Sequence, residues 1–181
     1  ALINLDYLWH PEVDVCWDIS RGLPFCDGSM KGIFTEHCLE HFDLKTALSV
    51  LRECRRILAP GGVIRIIVPD VRMYLELYNN RLSGETFERF PFEANEAFRG
   101  VFTPILSVNR IFYQDRDSPF GHRCMYDFDL LRNLLEDVGF VSIQRWTFRK
   151  GLDPQLLVDS EARRCESLYV EALPLFSKPL P

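Results

Sequence analysis

The chain has 181 residues, of which 47% are hydrophobic and 26% charged, with a formal net charge of −5. That suits one soluble globular domain with a full core, and the acidic balance argues against a broad phosphate-binding surface, so no nucleic-acid partner is expected. No apolar run nears the ~20 residues of a membrane span and no basic-then-apolar leader follows Ala1, so a cytoplasmic location without membrane attachment is expected.

In chain order, Leu2 to Asp6 is a short apolar run ending in a carboxylate, and Val13 to Asp18 alternates as a strand would. Ser20 to Pro24 turns the chain, Gly32 to Thr35 reads as the next strand, and Glu36-His37-Cys38-Leu39-Glu40-His41 stands at its exit. Leu44, Ala47, Leu48, Leu51, Cys54, Ile57 and Leu58 then recur at helical spacing. Asp43 is the candidate N-cap, and Arg55 and Arg56 sit where cations favour the helix dipole. Pro60-Gly61-Gly62 is expected to stop this helix, and Val63 to Val68 is the β-branched run of a strand covered on both faces. Asp70 can cap a further helix through Val71, Tyr74, Leu75 and Tyr78.

From Ser83 to Phe120 the pattern loosens into an aromatic-rich stretch that includes Phe87, Phe90, Phe92, Phe98 and Phe102, read as a covering flap. Asp127 or Asp129 caps a helix lined by Leu130, Leu131, Leu134, Leu135 and Val138, Gly139 ends it, and Phe140 to Trp146 alternates as a strand. The stretch from Arg163 to Ala172 is expected to end in a strand on the sheet edge, and residues 174–181 form a proline-rich tail. The six cysteines are scattered without a Cys-x-x-Cys pair and read as reduced thiols.

The order of helix, Leu58-Ala59-Pro60-Gly61-Gly62 and apolar strand, behind Glu-His-x-Leu-Glu-His and Leu23-Pro24-Phe25, resembles the class I S-adenosylmethionine-dependent methyltransferases of the type 11 kind. The resemblance implies an α/β, Rossmann-like sheet, mostly parallel with antiparallel C-terminal strands, in which residues 1–173 form one methyltransferase-like domain incomplete at its N-terminus. It implies S-adenosylmethionine as cofactor, with Asp6 on the ribose hydroxyls, Asp18 and Ile19 on the adenine, and Glu36 near the methyl group. His37 is the leading catalytic candidate, to position an acceptor or remove its proton, and His122 is the second. Each has a plainer reading: Asp6 as a turn residue, His37 as a strand-capping residue, His122 as a structural histidine. The implied acceptor is a small molecule or a glycan.

One departure is Lys31, where the family carries a carboxylate. A larger one is that no two glycines stand one residue apart, so the family's first strand and Gly-x-Gly turn do not occur in this sequence. Upstream residues, a closing-up of the neighbouring strands, or a partner's strand would repair that gap. The alternative function is therefore a non-catalytic binding or assembly module, a homodimer formed through the vacant strand position. His37-Cys38-Leu39-Glu40-His41 also fits an inverted zinc-peptidase motif. That motif needs one continuous helix, which the preceding strand and Asp43 argue against, and no metal is expected.

Overall fold

The computed structural model describes residues 2–82, 104–113 and 120–175. Strands β1 (Leu5–Asp6) and β2 (Val15–Cys16) pair in parallel as a sheet of their own. The main sheet contains β3 (Met30–Glu36), β4 (Leu58–Pro69), β5 (Phe140–Trp146) and β6 (Ser167–Pro174) in the order β3-β4-β6-β5. β3 runs parallel to β4, while β6 is antiparallel to both β4 and β5. This is the Rossmann-like α/β arrangement with antiparallel C-terminal strands. No ladder joins the two sheets among the described residues, and the outer edge of β3 carries no strand there.

Helix α1 (Leu44–Ile57) starts as its sequence dictates, with Asp43 Oδ1 accepting from the Thr46 amide at 2.8 Å. It buries Ala47, Val50, Leu51, Cys54 and Ile57, whereas Leu44 stays exposed. The helix stops at Ile57, before the expected Pro60, because Leu58 is already paired with Met30 in the sheet. The next partners are Gly32 and Val63, so residues 59–62 bulge opposite Lys31 alone. Both glycines serve that bulge. Gly61 has φ +79°, and a Cβ on Gly62 would lie 2.9 Å from the Lys31 carbonyl oxygen.

Beyond β4 come α2 (Val71–Leu82), α3 (Pro104–Tyr113), which packs on α2, and α4 (Phe128–Asp137). Of the two candidate caps for α4, Asp127 fills the role, 2.8 Å from the Leu130 amide. One face of β4 and β6 presents Ile64, Ile66, Val68, Leu168, Val170 and Ala172 to a core shared with α1 and with Leu131 and Leu135 of α4.

The opposite face carries Arg65, fully buried between Asp159 and Glu171. Its guanidinium donates to Asp159 Oδ1 and Oδ2 at 2.8 and 2.5 Å, to Glu171 Oε1 at 2.9 Å and to the Lys150 carbonyl at 2.9 Å. This pins the irregular segment 147–163 against the sheet. It also corrects the expectation for β6, which lies inside the sheet between β4 and β5, with β5 at the edge. Glu171 on this strand is fully buried because Arg65 answers its charge.

β6 continues through Pro174, and Leu175 is held by the Gly139 carbonyl and by Arg55. The expected tail from 176 onward, and the aromatic flap residues Phe87, Phe90, Phe92, Phe98 and Phe102, lie outside the described residues.

Candidate functional site

The C-terminal end of β3 delivers the charged cluster. Glu36 turns toward the covering segment, and its Oε1 accepts from the Ser160 amide at 2.9 Å. The His37 amide extends the ladder by donating to the Ile67 carbonyl at 2.8 Å, but its φ of 47° is left-handed and breaks the strand. A single 3-10 turn, Leu39–His41, follows before Asp43 starts α1. His37 and His41 therefore do not share a continuous helix, and the inverted zinc-peptidase geometry is absent.

The hydrogen bonds fix the state of His37. Ser167 Oγ donates its one proton to the Arg163 carbonyl at 2.7 Å, so at 2.8 Å it accepts from His37 Nε2. Burial holds the His37 pKa down at about 3, helped by the Arg163 charge, so the ring is neutral and Nδ1 keeps its lone pair. That lone pair faces Glu40 Oε1 at 3.5 Å.

Glu40 is fully buried, and neither carboxylate oxygen has a hydrogen-bond partner among the described residues. Burial pushes its pKa up to about 8. At neutral pH both groups are thus uncharged, and their 3.5 Å approach is not an ion pair.

His122 joins this cluster because the Glu40 carbonyl accepts the amides of Arg123 at 2.8 Å and Cys124 at 3.2 Å, which docks the irregular segment 122–124 onto the 3-10 turn. Its Nδ1 donates to the Ile111 carbonyl of α3 at 2.7 Å, leaving Nε2 as the acceptor nitrogen. The His122 and His41 rings are 5.1 Å apart, and His41 Nδ1 is buried without a hydrogen-bond partner among the described residues. His37, Glu40, His41, His122, Arg163 and Glu166 border a cavity of about 50 Å³, large enough for an ion or a water but not for a metabolite. Arg163 is matched by Glu166 at 3.0 Å, and Glu166 also accepts from Tyr74 at 2.6 Å.

The structure brings His37 and His122, the two catalytic candidates, onto one cavity. In the sequence Glu40 and His41 enter only through the disfavoured zinc-peptidase motif, and Arg163 and Glu166 carry no signal there. Asp6 is exposed, and its Oδ1 accepts from the Leu8 amide at 2.8 Å. Its charge reaches the Cys38 thiol, whose pKa is pushed to about 11 chiefly by burial. Asp18 caps its own 3-10 turn, with Oδ1 taking Ser20 Oγ at 2.6 Å and Oδ2 taking Arg21 Nε at 3.2 Å. The Ser20 hydroxyl holds its pKa below the usual carboxylate range. Ile19 packs against the core. Among the described residues, none of these three borders the His37 cavity.

Residues 8–66 match the family described as methyltransferase domain. No curated protein matches the sequence. Among solved structures, a possible exported protein from Bordetella parapertussis is similar over 90% of this chain and 44% of its own, at 12% identity and a TM-score of 0.50. A SAM-dependent methyltransferase from Archaeoglobus fulgidus is similar over 82% of this chain and 61% of its own, at 14% identity and TM-score 0.46. The 1,6-didemethyltoxoflavin-N1-methyltransferase of Burkholderia thailandensis is similar over 94% and 59%, at 16% identity and TM-score 0.49. The chain thus spans less than two thirds of each of these three structures.

Proposed function

We propose that this chain, whose residues 8–66 match the methyltransferase domain family, transfers a methyl group from S-adenosylmethionine to a small-molecule or glycan acceptor. The observation that carries the proposal is the overlap of that match with the site. It runs through Asp18, Glu36 and His37 and ends at Ile66, inside the strand that pairs in parallel with β3. In open α/β sheets, ligands collect outside the C-terminal strand ends, where these side chains stand.

The fit of the cofactor is best supported at its nucleoside end. Asp6 is exposed at the exit of β1, and only its Oδ1 is engaged, by the Leu8 amide, which leaves Oδ2 for a ribose hydroxyl. Asp18 and Ile19 stand at the corresponding exit of β2 for the adenine. The bound cofactor supplies an electrophilic methyl carbon on a sulfonium. His37, neutral and with a pKa of about 3, is too weak a base to remove an acceptor's proton at neutral pH. Its ring nitrogens face Ser167 and Glu40, so its part in this reading is to hold the exit of β3 in place for a displacement whose rate depends on collinear approach. His122 borders the same cavity, its Nδ1 committed to the Ile111 carbonyl.

Calorimetry of the full chain with S-adenosylmethionine tests the reading. Saturable binding, weakened at least roughly tenfold in Asp6→Ala by the loss of ~1.4 kcal/mol or more, is the expected outcome, and no heat from the unaltered chain refutes it. The open outer edge of β3 favours a second reading, a non-catalytic module that dimerises through that edge. A tight dimer in light scattering together with no cofactor binding selects that reading.

A further inference from the structure

We propose that Glu40, His41 and His122 form a binding site for one divalent transition-metal ion, with zinc the ion they suit best. One ligand atom from each lies within 4.8 Å of the others. Tetrahedral ligands ~2.1 Å from a zinc ion stand ~3.4 Å apart, so small side-chain rotations close the set. Two imidazoles and one carboxylate are a donor set that zinc accepts, with its fourth position left to water. The 50 Å³ cavity bordered by all three residues accommodates both the ion and that water.

Three features mark this as a built site. Glu40 is fully buried, lines the cavity and has two carboxylate oxygens without hydrogen-bond partners among the described residues. An arrangement of this kind costs several kcal/mol unless a cation or donor fills it. His41 Nε2 stands 3.9 Å from Glu40 Oε1, and its Nδ1 is buried and unpartnered among the described residues. His122 donates its other nitrogen's proton to the Ile111 carbonyl at 2.7 Å, which fixes the tautomer and turns the lone pair of Nε2 outward, as metal-bound histidines require.

The remaining charges tolerate a cation. Arg163 borders the cavity but is paired with the buried Glu166, and His37 Nδ1 adds a further lone pair 3.5 Å from Glu40. The proposal differs from the zinc-peptidase motif in the sequence, since His122 replaces His37 as the second imidazole. It is also independent of methyl transfer: a chain that binds zinc but not S-adenosylmethionine refutes only the previous section.

The test uses the full chain, stripped with a chelator, dialysed and titrated with Zn²⁺ in a calorimeter and with Co²⁺ under visible absorption. One equivalent should bind, with a nitrogen-and-oxygen cobalt spectrum that lacks a thiolate charge-transfer band. Affinity should fall at least roughly 10–100-fold in His41→Ala, His122→Ala and the isosteric Glu40→Gln, and stay unchanged in His10→Ala. Absence of stoichiometric binding overturns the site. So does a thiolate band, which puts the ion on cysteines, or undiminished affinity in a folded Glu40→Gln chain. The cobalt spectrum of the unaltered chain decides the matter even if a histidine variant fails to fold.

Discussion

Replacing Arg65 with methionine should be among the most damaging single changes in the described structure. The side chain of Arg65 is wholly inaccessible, as are those of Asp159 and Glu171. The substitution removes two charge-assisted bonds to Asp159, one to Glu171, and the bonds to the carbonyls of Lys150 and Thr147. Each carboxylate keeps one backbone donor, Arg149 N at 2.6 Å for Asp159 and Leu152 N at 2.5 Å for Glu171. Among the described residues, neither keeps an ion pair from its carboxylate. Breaking a buried pair by removing one partner costs about 3–5 kcal/mol, and here two anions are stranded, so the upper part of that range is expected. A domain stable by ~5–15 kcal/mol loses much of its margin. Urea unfolding followed by circular dichroism at pH 7 measures the loss. Adding Asp159→Asn and Glu171→Gln to Arg65→Met should recover part of it, because neutral amides no longer need a cation. A loss below ~1 kcal/mol for Arg65→Met, the level of an exposed pair, refutes the reasoning.

The same network makes Gly151→Ala harmful, since a Cβ there collides with the Glu171 carboxylate. A loss of ~1–3 kcal/mol in urea unfolding is expected, and an unchanged midpoint contradicts the packing. With metal removed by a chelator, stability should fall with rising pH wherever folded Glu40, with its pKa of about 8 against an ordinary 4.5, holds a proton that the unfolded chain has lost. His37 and His122, whose pKa values are lowered by burial, act in the opposite sense below 6.5. The cleaner window is therefore pH 7–8, where a fall of ~1 kcal/mol is expected and Glu40→Gln should flatten the slope; an equal slope in that variant excludes Glu40 as its source. Brief labelling with an uncharged thiol reagent should modify the exposed Cys16 and Cys26 but spare the buried Cys54, whose pKa is pushed up to about 12. Mass spectrometry reads the pattern, and early labelling of Cys54 in folded protein counts against the described core.

Much of the fold is legible because local chemistry and tertiary context agree. Asp43 before an amphipathic repeat, Asp127 before Phe128, and the β-branched run of Val63 to Val68 each have one cheap conformation, and the chain adopts it. The failures occur where a distant partner decides. The stretch from Arg163 to Ala172 reads as an edge strand, yet Arg65, 106 positions from Glu171, supplies the counter-charge that lets the strand lie in the sheet interior. Pro60-Gly61-Gly62 looks like a helix stop, but the pairing of Leu58 with Met30 ends the helix earlier and leaves those residues to the bulge. At the site, the local motif showed His37 and Glu40, and the resemblance suggested His122. That the Arg123 and Cys124 amides bring His122 onto the Glu40 turn is a long-range hydrogen-bond fact with no local trace.

The left-handed residue at the exit of β3 has a consequence for the imidazole it carries. With φ at 47°, position 37 suits glycine or asparagine, and other side chains resist this conformation by about 1–2 kcal/mol. An asparagine would accept the reversal willingly, yet it has no ring nitrogen to direct at position 40. Histidine is the conformationally dearer choice, so the reversal by itself does not account for it. His37→Asn consequently separates architecture from chemistry: the chain should still fold, and whatever depends on that imidazole should disappear.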